Sequence, residues 1–363
     1  MVWVRNLISM IREKEKEWFL TRDQLKPMKQ LFTLLIIVSS FTLSSCQEKM
    51  KKYDWIPTEC APANYPAQIY KGSLLYGEKG SIYIPDGRAI NYGWGESGSV
   101  NIAGEQMKEV PHTLEISWLS FAEKKNYGGK FELDTKKIDS LFAAGYPDDS
   151  EEGGKGNYHS VKVGMAPGGD LVVWLAGSRS KQVEVGFFKA KPIESLDWKK
   201  IYPSMEDGIG AYIDVIVKKL PDSVKEQIAA GKIPFGYWES LRKRYNWKPE
   251  IQTNAKVLRI DLDYFNKERD FVFGEGLQHL SVKPNAVIEE LSVYWLDDRN
   301  RELRTEIKFD EQEAFTVFSK IPQGEEASLV VVLDKTKKDA TVHLKVKDKE
   351  VPFQQIKVQS FYK

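Results

Sequence analysis

Apolar and polar residues alternate with a period of two through Leu114-Glu-Ile116-Ser-Trp118, through Val257-Leu-Arg-Ile260-Asp-Leu262 and through Thr341-Val342-His-Leu344-Lys-Val346. Such alternation predicts strands with one face on a core and the other on solvent. Leu171–Leu175 and Leu329–Leu333 are instead unbroken apolar runs, the pattern of central strands buried on both faces. Clusters of Gly, Asn, Asp and Lys punctuate these segments and supply the turns. Two short helical patterns interrupt them. Asp134 precedes a turn carrying Ile138, Leu141 and Phe142, and Asp310 with Glu313 makes a capping-box-like start before Ala314, Phe315 and Phe318.

The pattern also repeats. Tyr53-Asp-Trp55-Ile-Pro57 is answered by Tyr245-Asn-Trp247-Lys-Pro249, and Leu114-Glu-Ile-Ser-Trp118-Leu by Leu291-Ser-Val-Tyr-Trp295-Leu. FELDTKKIDSLF then parallels IKFDEQEAFTVF, and each copy continues into a buried strand and a hairpin-like partner. Three landmarks in the same order predict a duplication. The expected fold is a β-rich α+β architecture of two tandem modules, 53–202 and 245–363, each a mostly antiparallel sheet with one packed helix. Between them, 203–244 is helical in character. Pro221-Asp-Ser opens a helix that Gly231 can end, and PFGYWESLRKRYNW sets Tyr237, Leu241 and Tyr245 near one helical face.

The first 45 residues read differently. From Met28, Lys29 and the 13-residue apolar run Leu31–Leu43 form a secretory signal, too short for the ~20 residues of a spanning helix. Leu43-Ser-Ser-Cys46 has the pattern of a lipobox, with Cys46 as the thiol that accepts the lipid. Residues 1–27 precede this natural start and are expected to be a non-native extension, and 46–52 a lipidated tether. Gln47 rather than Asp after the cysteine directs such a protein to the outer membrane, facing the periplasm or the cell exterior. Cys60 is then the only thiol of the mature chain outside the anchor, so no intramolecular disulfide is available to it.

Composition adds bounds. With 42% hydrophobic and 12% aromatic residues the chain can build a core. Its net charge is +1, and removing the seven basic and four acidic residues of 1–45 leaves 46 against 48, a net −2. So even a balance carries no footprint of nucleic-acid binding.

No catalytic set, cofactor motif or metal site is expected. Gly93-Trp-Gly-Glu-Ser-Gly98 matches G-x-G-x-x-G, but neither a helix nor a lysine strand follows to hold phosphates. The same stretch lacks the last glycine of G-x-S-x-G. His112, His159, His279 and His343 are far apart, without ligand spacing. Asp261 and Asp263 share one strand face, read as solvent-exposed. Ala166-Pro-Gly-Gly-Asp170 is a turn that could also form an anion-binding nest. Of eight mature tryptophans, Trp55, Trp118, Trp247 and Trp295 occupy repeat landmarks and are expected in the core, whereas Trp94 in its glycine-rich loop is expected at the surface as a partner contact.

YDWIPTECAPANYP, LEISWLSFAEKKNYGGKFELD, VGMAPGGDLVVWLAG, PFGYWESLRKRYNW and IKFDEQEAF together resemble a family of bacterial lipoproteins catalogued as domain of unknown function 2931. The resemblance spans Tyr53 to the C-terminus, with Pro167–Trp174 its most specific part, and carries no activity or catalytic residue. Some members look like neighbours of type VI secretion lipase effectors, which implies immunity-protein behaviour. The expected function is thus a non-enzymatic outer-membrane binding protein with a protein partner. A glycan- or envelope-polymer-binding module using Trp94 is the alternative. A hydrolase would require Cys60 or a serine gathered with a histidine and a carboxylate.

Overall fold

The alternating segments become strands, and their order across the sheets is set by which faces are apolar. A computed structural model describes residues 51–194, 196–203, 208–334, 336 and 339–363. The expected signal sequence, Cys46 and the expected tether up to residue 50 lie outside the described residues. Lys51–Lys363 form one compact unit. It is a β-rich α+β structure of several mostly antiparallel sheets.

The dominant sheet has nine strands, in the order Ile56–Cys60, Tyr158–Ala166, Asp170–Gly177, Gln182–Lys189, Arg269–Phe273, Lys256–Tyr264, Ile288–Leu296, Glu302–Phe309 and Ile356–Tyr362. Its two halves meet at the single pair Gln182↔Arg269. A five-stranded sheet, Lys191–Ile193, Lys125–Glu132, Pro111–Ser120, Ala67–Tyr76 and Gly80–Tyr83, shares a core with the first half. A second, Lys283–Ala286, Arg244–Gln252, Glu326–Asp334, Asp339–Val346 and Lys349–Pro352, shares a core with the second half. Two strand pairs are parallel, Ile56–Cys60 with Tyr158–Ala166 and Arg244–Gln252 with Glu326–Asp334.

Burial follows the sequence pattern closely. Leu114, Ile116 and Trp118 all point inward, as do Val342, Leu344 and Val346. Leu171–Leu175 is buried on both faces: Leu171, Val173 and Leu175 enter one core, while Val172 and Trp174 enter the other. The second apolar run departs from this only at Val332, which is 37% exposed although Val330 on the same strand face is fully buried. The expected helices span Thr135–Ala144 and Glu311–Phe318. Asp134 accepts a hydrogen bond from the Lys137 amide at 3.0 Å, and Asp310 from the Glu313 amide at 2.9 Å. In the second helix Val317, not Phe315, completes the buried stripe.

The intervening segment carries helices Gly208–Lys218 and Asp222–Ala229, with Gly231 at φ 67° ending the second. The amphipathic helix expected over PFGYWESLRKRYNW is cut short to Tyr237–Ser240. Arg244–Gln252 becomes a strand instead, seven of its residues pairing in parallel register with Glu326–Asp334. Pairing with a strand some eighty residues away outweighs the local helical period, and Trp238 rather than Tyr237 is the buried anchor.

Candidate functional site

The glycine-rich loop Gly93–Gly98 lies against the edge strand Ile56–Cys60. Gly93 N donates to Ala61 O at 3.1 Å, Gly98 N to Glu59 O at 2.9 Å and Ser99 N to Glu59 Oε1 at 2.9 Å. The glycines permit that approach: a Cβ on Gly98 would stand 2.6 Å from Glu59 O, and one on Gly95, at φ 75°, 2.3 Å from Lys267 Cβ. This is close backbone packing, not a phosphate cradle.

The same packing corrects the expectation for Trp94. Its side chain is not at the surface but only 7% exposed, edge-on to Trp174 with centroids 5.1 Å apart and 6.3 Å from Trp238. Folding the loop onto the sheet drives the indole into the interior, where its apolar area is removed from water. Gly164 makes room for the pair, since a Cβ there would come within 2.5 Å of Trp174 Cζ3. The four landmark tryptophans, Trp55, Trp118, Trp247 and Trp295, are fully buried.

The Ala166–Asp170 turn is built by left-handed Gly168 and Gly169, at φ 79° and 81°. The Gly168 amide donates to Glu123 Oε2 at 3.1 Å, and Tyr127 and Ser120 hydroxyls donate to the same carboxylate at 2.6 and 2.7 Å. The anion that this nest holds is therefore the protein's own Glu123. Asp170 is fully buried 2.5 Å from Lys189. Burial raises its pKa, and Lys189 opposes that rise.

Where the two halves of the large sheet meet, polar groups replace the missing ladder bonds. Lys162 Nζ donates to Gly95 O at 2.5 Å and to Gln182 Oε1 at 2.6 Å, while Gln182 Nε2 donates to Lys267 O at 2.6 Å. Lys181 pairs with Asp270 at 2.5 Å, Arg269 with Glu96, and Arg242 with Glu184 at 2.7 Å. Lys162 and Gln182 are buried, and desolvation lowers the lysine's pKa. None of these was legible as interior: Lys162 sits in the alternation Val161-Lys-Val163, which locally reads as a solvent-facing position. Cys60 is also wholly buried, and burial pushes its thiol up to about 12, so it carries no thiolate at neutral pH.

On the sheet surface a groove of about 310 Å³ is lined by Arg259, Asp261, Asp263, Arg269, Tyr294 and Arg304, among others. The two aspartates share this face as expected, but inside an ionic network. Arg259 Nε stands 2.5 Å from Asp261, and Arg304 bridges Glu290 and Glu306 at 3.0 Å each. Partial burial pushes Asp263 up to about 6, with Arg269 pulling it down and Glu290 and Asp261 pushing it further up. The native protein therefore binds the Asp263 proton more tightly than the unfolded chain, and stability falls as pH rises from 3.8 to about 6. Asp263→Asn should be more stable than wild type at pH 7 and no more stable at pH values below that window; urea midpoints across pH measure this, and equal effects at both ends refute it.

His112, His159, His279 and His343 stand on separate elements. Among the described residues no group of three His, Cys, Asp or Glu side chains is placed to hold a metal ion. The geometry defines a β-rich α+β protein in which the glycine loop and the Pro-Gly-Gly turn are packed against the protein's own backbone and side chains. A family model described as "Protein of unknown function (DUF2931)" matches residues 43–236, more than half of the chain, and the protein belongs to that family. The match ends at Gly236, so IKFDEQEAF falls outside it although the motif resemblance runs to the C-terminus. Neither a curated protein nor a solved structure matches.

Proposed function

We propose that this protein is a lipid-anchored, non-enzymatic binding protein of the bacterial outer membrane, held at Cys46. The observation that carries this reading is the Leu43-Ser-Ser-Cys46 sequence behind its 13-residue apolar run. Two or more acyl chains, at about 0.8 kcal/mol per buried CH₂, make a stable anchor. The non-enzymatic part is supported by the burial of Cys60 and by the separation of the histidines. The partner we infer, on the family resemblance, is an antibacterial effector protein of the lipase class. The ionic groove around Asp263, Arg269 and Arg304 is a surface suited to charge-complementary contact. Glycan stacking rested on Trp94, and its burial removes that support.

We also read 53–202 and 245–363 as tandem copies joined by 203–244. Each has one parallel strand pair, followed in space by antiparallel neighbours, and an aspartate-capped helix leading into that pair. The Trp55 indole donates to Glu109 O at 3.1 Å and the Trp247 indole to Ala286 O at 3.0 Å. Both acceptors stand two residues ahead of their next strand, Pro111–Ser120 and Ile288–Leu296.

Cys46→Ser should abolish incorporation of an alkyne fatty acid and move the protein from the membrane to the soluble fraction. Membrane retention without label would refute the anchor. For the partner, co-expression with an adjacent effector gene should show protection and co-purification; neither occurring rules out the immunity reading.

A further inference from the structure

Most large apolar side chains of the described residues are inside, yet one short segment holds three of them out. Val100 is 55% exposed, Ile102 83% and Met107 48%. The segment is not loose. Val100 bridges to Thr58, Met107 pairs with Asp54, and Lys108 pairs with Tyr53, so it runs antiparallel along the first strands of the body. Asn101 is buried between its exposed neighbours. Its Nδ2 donates to Tyr83 O at 2.9 Å, and its Oδ1 accepts from the Ala103 amide at 2.9 Å. The usual order is inverted, with the polar residue pinned inward and Val100 and Ile102 presented outward. Tyr83, 53% exposed, stands beside them.

The chain leading to this edge identifies what lies opposite. Four residues separate Cys46 from Lys51, and at no more than about 3.5 Å per residue Lys51 stays within roughly 18 Å of the anchor. Lys52 is tied to Glu105, within the same segment, at 3.4 Å. We propose that Val100–Met107, with Tyr83, is the face that the body lays on the bilayer carrying its anchor, with Ile102 entering the interfacial region. This rests on the anchor reading above. The contact is apolar: Lys51 and Lys52 are offset by Asp54 and Glu105, so its strength should not depend on salt. The strand Ile56–Cys60 is one edge of the nine-stranded sheet and Ile356–Tyr362 the other. Eight spacings of about 4.8 Å place the far edge roughly 38 Å away.

The test uses full-length acylated protein in phosphatidylethanolamine–phosphatidylglycerol vesicles. Ile102→Cys and, as the remote control, Phe361→Cys each carry an environment-sensitive fluorophore; Cys60 is buried and does not compete for label. The fluorophore at 102 should shift to the blue and be quenched several-fold more by nitroxide lipids than the one at 361, at low and high salt alike. Acylated, vesicle-bound protein with a water-like spectrum at 102 overturns the docking proposal and leaves the anchor standing. A shift that vanishes when each vesicle carries a single molecule overturns it in favour of a second copy as the cover. Protein whose mass shows no acyl group overturns the anchor and the docking together.

Discussion

Trp174→Ala should cost about 4 kcal/mol of stability, the middle of the range for truncating a buried aromatic. Trp174 is wholly buried in the strand that enters both cores, and its ring is the surface on which Trp94 rests edge-on. Removing it opens a cavity under the glycine loop and withdraws the support of Trp94 and, through Trp94, of Trp238. The backbone cannot collapse into that space, because the strand is hydrogen-bonded on both sides, to Tyr158–Ala166 and to Gln182–Lys189. Trp174→Phe should cost far less, about 1–2 kcal/mol, since it keeps a ring for Trp94 and deletes an indole N–H that finds no acceptor among the described residues. Urea-induced unfolding followed by circular dichroism measures both. Equal losses for the two variants would show that the cavity is not the controlling quantity.

Arg242→Ala should cost about 3 kcal/mol, by leaving a buried carboxylate unpaired. The guanidinium donates twice to Glu184 Oε1, at 2.9 Å from Nε and 2.7 Å from Nη2, and stacks 4.1 Å from the Phe187 ring centroid. Glu184 is 6% exposed, and its other carboxylate oxygen has no hydrogen-bond partner among the described residues. Its amide is tied across the seam to Glu268 at 3.1 Å, so the loss should loosen the junction between the halves of the large sheet. Adding Glu184→Gln to Arg242→Ala should recover part of the stability, because the neutral amide is cheaper to bury than an unpaired charge. A double-mutant cycle reads the coupling. A coupling below about 0.5 kcal/mol would mean that solvent already screens the pair.

Much of the β framework was readable locally. Period-two alternation placed Leu114, Ile116 and Trp118 inside, and an unbroken apolar run placed Leu171–Leu175 between two cores. The aspartate caps were also local, since an N-cap satisfies amides three residues away. The errors share one cause. Trp94 was read as exposed because glycines surround it, and Lys162 gives no local sign of an interior role because it alternates with valines. In both cases the covering group comes from far along the chain: Lys162 meets Gly95 across 67 residues. The helical reading of 234–247 failed over its last residues, 244–247, for the same reason: they open the strand Arg244–Gln252, whose partner is Glu326–Asp334.

By itself, then, the sequence determined the strand periodicity, the helix caps, the landmark tryptophans of the core and the motifs of the family, because each depends on neighbours within a few residues. Only the tertiary structure decided which positions a strand's second face buries. It folded the glycine loop over Trp94, closed the polar seam around Lys162 and Gln182, and turned Asn101 inward so that Ile102 faces out. Sidedness of that kind depends on what packs against a face, and no local pattern of hydrophobicity records it.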